Sequence, residues 1–160
     1  MRQEDFERLY EEHAQPLFGF LAYRTGDRVL AEDLMADTFE RALRARNRFD
    51  RRKASEKTWL YTIALNLLRD HARRKASEAR AMDRVPHEES VPADALAAVE
   101  SREEVQRALT SLSVEEREAI ALRFGADMTV PEIAKLLGEP LPRVEGRVYR
   151  SLRKLREELD

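Results

Sequence analysis

The sequence predicts an all-α fold of two small helical domains joined by a flexible linker, and three observations predict it. Hydrophobic residues make up 42% of the 160-residue chain and charged residues 38%, with only 5 glycines, a mixture suited to helices with one apolar and one heavily charged face. Apolar residues recur at intervals of three and four, and valine-rich alternation, the mark of a half-buried strand, is missing. Residues 76–100 break the periodicity. Within them, Arg84-Val-Pro-His-Glu-Glu-Ser-Val-Pro-Ala-Asp94 holds two prolines and mostly acidic charge, too little apolar surface to fold alone. Domains are therefore expected at 1–75 and 101–160, moving independently in the free protein.

Three helices are expected in the first domain. The first carries Phe6, Leu9, Tyr10, Leu17 and Leu21 near helical spacing, with Pro16 as a place where it can kink. Thr25-Gly-Asp27 reads as a stop followed by an N-cap. The second helix places Leu30, Leu34, Thr38, Phe39, Ala42 and Leu43 near one face. A basic loop, Asn47 to Lys57, leads to a third helix from about Ser55 to Lys75, with Trp59, Leu60, Ile63, Leu67 and Leu68 as its apolar set. That helix ends in Arg69, Arg73, Arg74 and Lys75.

Four helices are expected in the second domain. Val105, Leu109 and Leu112 mark the first. Ser113-Val-Glu-Glu116 is a capping box opening a helix with Ile120, Leu122 and Phe124, which Gly125 ends. Thr129-Val-Pro-Glu132 is a second capping box, with proline in the first turn where its missing N–H costs little. The short helix it opens, Ile133 to Leu137, stops at Gly138. A last helix follows Pro142 and runs to about Leu159.

Composition also excludes several functions. Without cysteine, disulfides and thiolate metal sites are ruled out, which fits a reducing, cytoplasmic setting. Met1 to Phe6 reads as neither a secretory signal nor a transmembrane segment, and no apolar run approaches the roughly 20 residues that span a bilayer. His13, His71 and His87 share no metal-ligand spacing. The acidic cluster Glu32, Asp33 and Asp37 has no second carboxylate or histidine motif to converge with it, so no catalytic residue, metal or cofactor is expected.

Charge is arranged in blocks. Residues 1–40 are net −6, 41–80 net +9, 81–128 net −6 and 129–160 net +1. A +9 field within forty residues attracts a polyanion, and alternating blocks suit separate surfaces for separate partners; each block by itself is equally well read as a solvated helix face. At the C-terminus, a short helix, a Gly-containing turn and a longer helix form a helix-turn-helix pattern. Val144, Val148, Leu152, Leu155 and Leu159 make one apolar stripe on the last helix, while Arg143, Arg147, Arg150 and Lys154 make a basic stripe on another face. A basic stripe is what a major groove and its phosphates require.

Taken together, these residues resemble an extracytoplasmic-function (group 4) sigma factor of bacterial RNA polymerase along nearly the whole chain. Gly26-Asp27, Ala31-Glu-Asp-Leu34, Asp37-Thr-Phe39, Thr58-Trp-Leu-Tyr-Thr-Ile-Ala64, Asn66, Asp70 and Arg73-Arg74 resemble the region 2 signature. Leu112, Arg117, Leu122, Glu132-Ile-Ala134, Leu137-Gly138, Val144, Arg147 and Arg150 resemble region 4. Ala36 stands where relatives usually have Gln, Leu43 where many have Trp, and Pro142-Arg-Val-Glu-Gly-Arg147 where Gly-Thr-Val-Lys-Ser-Arg is common. The last departure bears on −35 sequence preference and leaves the fold unaffected.

The resemblance implies a non-enzymatic factor that binds core RNA polymerase through its β′ clamp and β flap and directs it to promoter DNA, with an anti-sigma protein as a further partner. Asp33, Leu34, Asp37, Phe39 and Glu40 would then meet the polymerase. Phe49, Lys57, Asn66, Arg69, Arg73 and Arg74 would meet and melt the −10 element, through cations for phosphate and side chains that pack on extruded bases. Arg143, Glu145, Gly146, Arg147, Tyr149, Arg150 and Lys154 would read the −35 element; Glu145 either accepts from a cytosine amino group or points away. A polymerase-independent helix-turn-helix regulator accounts for residues 101–160 but leaves the first domain unexplained.

Overall fold

A computed structural model describes residues 1–82 and 100–159, the side chains of 100–102 excepted. Among the described residues seven α-helices follow one another: α1 (Gln3–Thr25), α2 (Arg28–Ala45), α3 (Glu56–Ala81), α4 (Glu100–Thr110), α5 (Val114–Ile120), α6 (Val130–Leu137) and α7 (Leu141–Leu159). There is no strand among the described residues. The helix α3 extends six residues past the expected boundary at Lys75. The rest of the expected linker, 83–99, lies outside the described residues.

The punctuation marks in the sequence act locally as expected. Gly26 takes the left-handed conformation, φ 68°, and donates its N–H to Ala22 O. Asp27 Oδ1 accepts from Leu30 N at 3.1 Å and starts α2. Ser55 caps α3, while Ser113–Glu116 and Thr129–Glu132 close reciprocal capping boxes on α5 and α6. Gly138, φ 67°, ends α6. Pro16 lies inside α1 without interrupting it.

One part of the chain departs from the regular pattern. After Ile120 the backbone widens into a π-helical turn, Ala121–Gly125, with Ala126 N bonding Ala121 O at 3.0 Å. The extra residue shifts the helical phase. Leu122 is buried in the core, and Phe124 is 52% exposed with the Arg123 guanidinium over its ring.

The two halves share a core. Leu9, Leu17, Phe20 and Leu21 of α1, Leu60, Ala64 and Leu68 of α3, Leu122 and Met128 around the π turn, Ile133 of α6 and Val144 of α7 belong to one buried cluster. A smaller cluster, Leu109, Leu112 and Ile120, seats α4 on α5 and α7. In this conformation the two halves pack on one another. A continuous apolar core resists separation because parting it would expose its surface to water.

Candidate nucleic-acid interface

The last helix α7 lies against the core through Val144, Val148 and Ser151, whose Oγ donates to Arg147 O at 2.6 Å. Leu159, the end of the expected apolar stripe, is 44% exposed instead. At about 100° per residue, Arg143, Gly146 and Arg150 fall within about 60° of one another on the outer face. Tyr149 flanks them, 67% exposed. Glu145 is also exposed, but it sits about 140° around the helix from Arg150, beside the buried stripe. The Arg150 guanidinium folds back along the helix, and a Cβ at Gly146 would lie 2.8 Å from its Nη1.

Two cations of the predicted stripe are occupied. Arg147 grips Glu139 with both terminal guanidinium nitrogens, Nη1 and Nη2, at 2.6 and 2.8 Å. That bidentate contact holds the Glu139 carboxyl below its ordinary range and raises Arg147. Since Glu139 directly follows the Gly138 stop, the pair ties the helix-turn-helix turn to α7. Lys154 pairs with Glu116 at 2.9 Å, and with the Ser113 bonds this lowers the Glu116 carboxyl. The pairings of Glu139 with Arg147 and of Glu116 with Lys154 escaped sequence reasoning because the partners lie 8 and 38 residues apart, beyond any helix-face rule.

In the first half, the loop between α2 and α3 surrounds an open hollow of about 390 Å³ lined by Phe49, Arg51, Ala54, Ser55, Glu56 and Lys57. Phe49 is half-buried with its ring 5.0 Å from that of Trp59, which itself packs on the core. Asn66, Arg69 and Arg73 share one exposed face of α3, and Arg74 is exposed beside them. Arg73 pairs with Asp70 on that face. Lys57 stands at the head of the helix, about half a turn round from Asn66. The predicted −10 residues thus form two separate groups, one around the hollow and one along α3. The lining residues Arg51, Ala54 and Ser55 were missed because only the turn at 51–53 curls the loop into a concave shape.

On α2, Asp33, Asp37 and Glu40 line up on the exposed face. Glu40 pairs with Arg44, while Asp33 and Asp37 have no ion-pair partner among the described residues. Leu34 and Phe39, assigned to the same surface from sequence, are 5% and 6% exposed. Phe39 packs edge-on against Phe6 and Tyr10, so both residues seat α2 in the core beneath the acidic face. Among the described residues no cluster of three or more His, Asp or Glu could hold a metal, and no helix is long and apolar enough to cross a membrane.

The chain is similar in sequence and fold to known proteins. Sigma-70 region 2 matches residues 9–78 and Sigma-70, region 4 matches 102–155. The RNA polymerase sigma factor CarQ of Myxococcus xanthus is 33% identical over 97% of this chain and 89% of its own length. The ECF RNA polymerase sigma factor BldN of Streptomyces coelicolor is 31% identical over 94% of this chain, which spans 58% of that protein. Among solved structures, the sigma factor RpoE in complex with the anti-sigma factor NepR from Bartonella quintana has a TM-score of 0.86 at 26% identity, over 98% of this chain and 97% of that one. CnrH in complex with the cytosolic domain of CnrY gives 0.73 at 28% identity, over 99% and 90%. With both regions matched in order and full-length relatives above 30% identity, the chain belongs to the extracytoplasmic-function sigma factors of the sigma-70 family.

Proposed function

We propose that this chain binds core RNA polymerase and directs it to promoters by three surfaces acting together. The acidic face of α2, Asp33, Asp37 and Glu40, docks on the basic polymerase clamp, with Leu34 and Phe39 supporting it from below. The hollow around Phe49 and Lys57 receives an extruded −10 base, while Asn66, Arg69, Arg73 and Arg74 track the phosphates of the same strand. Arg150 reads the −35 element, with Gly146 and Tyr149 beside it. Arg143 holds phosphate, and Lys154 does so once it leaves Glu116. Arg147 acts from within, fixing the turn through Glu139. Glu145, on the far flank, points away from the groove. The chain carries no catalysis of its own and works in the cytoplasm, where polymerase and promoter meet.

The observation that carries this reading is the acidic face of α2, whose Asp33 and Asp37 have no ion-pair partner among the described residues, in the same chain as two basic surfaces. A regulator that binds DNA without polymerase has no use for it. The likeness to RpoE, described in complex with an anti-sigma factor, supports an anti-sigma partner for this chain as well. Transcription in vitro with core polymerase and a promoter library tests the function. Defined start sites sharing −10 and −35 elements are expected with the wild-type chain. They should disappear with Asp33→Lys/Asp37→Lys, together with core binding, while helical content stays the same. Promoter-specific initiation by the charge-reversed variant, or its co-elution with core polymerase, would sink the α2 assignment.

A further inference from the structure

Glycine is among the poorest residues for the interior of a helix, yet Gly146 stands inside α7. The backbone does not call for it. Gly26 and Gly138 occupy the left-handed region, and Gly146 does not. The three atoms that a Cβ at 146 would meet first all belong to one side chain. They are Nη1, Cζ and Nη2 of Arg150, at 2.8, 3.7 and 3.8 Å. The first distance is shorter than real Cβ contacts allow, so the guanidinium occupies space that any other residue at 146 would fill.

The direction of this fold-back follows from helix geometry. Side chains lean toward the N-terminus of their helix, so Arg150 passes over the residue one turn before it. One turn is about 5.4 Å along the axis. The notch at Gly146 thus carries the Arg150 charge toward the turn that holds Arg143, the end that a helix-turn-helix inserts into a groove. No carboxylate competes for it. Arg147 is held by Glu139 and Lys154 by Glu116, whereas Arg150 has no ion-pair partner among the described residues.

We propose that Gly146 is a positioning residue for promoter reading: its missing side chain seats Arg150, so that Arg150 reads the −35 base pair facing residue 146. A side chain at 146 lifts the guanidinium off the helix and away from that base. The rival role for this glycine is to let the α7 backbone approach DNA closely, which carries no base preference of its own. The inference rests on the reading that Arg150 contacts the −35 element, and Arg150→Ala tests that reading by itself.

The experiment is in vitro transcription by the full chain with core polymerase, on a promoter library randomised across the −35 element. Gly146→Ala, Gly146→Ser, Arg150→Ala and Gly146→Ala/Arg150→Ala are compared with wild type. Alanine is the better helix former, so a loss of preference in Gly146→Ala is not a loss of α7. Gly146→Ala should weaken discrimination at the position that Arg150→Ala relaxes, by at least about fivefold, the lower end for a bidentate base contact. Other −35 positions should keep their preferences. Gly146→Ser adds the same Cβ and should act alike. With Arg150→Ala already present, Gly146→Ala should change nothing more at that position, because no guanidinium remains to be displaced.

The remaining outcomes overturn the proposal in distinguishable ways. If Arg150→Ala relaxes a position and Gly146→Ala leaves it intact, Arg150 still reads DNA but the notch does not place it. An equal loss on every −35 sequence, persisting in the Arg150→Ala background, would assign the glycine to close backbone approach. A loss with serine alone would trace to its hydroxyl. If Arg150→Ala moves no preference at all, the −35 reading of Arg150 falls and the proposal falls with it.

Discussion

At the scale of single residues, the four cations of the α7 stripe are alike in sequence but not in the folded chain. Arg150 has its head free to reach a base edge, and a bidentate contact with guanine discriminates by about 1–3 kcal/mol. Arg150→Ala should therefore lower transcription and relax preference at one or two −35 positions; an unchanged promoter profile would remove it from the reading face. Arg147 spends both sides of its guanidinium on Glu139. A double-mutant cycle of Arg147→Ala and Glu139→Ala, followed by urea unfolding, should show a coupling of about 1–3 kcal/mol, the range for hydrogen bonds to charged groups. Additive effects would mean that the pair does not hold the turn. The stripe was legible in the sequence because a helical period is local. Its division into paired and unpaired cations was not, since Glu139 reaches Arg147 only after the Gly138 turn.

At the scale of elements, the second half is fastened by three glutamates held below their ordinary value of 4.5: Glu116 by Lys154 and Ser113, Glu132 by Thr129 with Lys57, and Glu139 by Arg147. Each folded-state value lies beneath the unfolded one. Their stabilisation is thus fully present above about pH 4.5 and is lost as pH falls through the depressed folded values. The melting temperature should stay level with respect to these groups above pH 4.5 and drop below it. Glu116→Gln/Glu132→Gln should start lower at neutral pH and drop less. A wild-type acid profile no steeper than that of the variant would show that these caps do not fasten the helices. The capping boxes themselves were readable three residues at a time. By contrast, the π turn was not, because Ala121–Gly125 contains no residue that marks an extra backbone position.

At the scale of the whole molecule, the shared core links the stability of the two halves. The wild-type chain should melt in a single calorimetric transition, as cooperative units do, and Gly19→Ala, whose Cβ would lie 3.0 Å from the Gly125 carbonyl oxygen, should divide it into two. Two transitions in the wild type, or one in the variant, would contradict a common core. Taken alone, the sequence determined the helices, their caps, the order of regions 2 and 4 and the family, since each depends on spacing or on residues close along the chain. The tertiary structure decided which charges are free. It placed Leu34 and Phe39 beneath the acidic face rather than on it, gave Arg147 and Lys154 carboxylate partners, and set Glu118 and Glu132 against Arg69 and Lys57. It also joined halves that composition alone would leave apart. The physical reason is that burial and ion pairing depend on distances in space, and Gly19 and Gly125, more than a hundred residues apart, touch only in the folded chain.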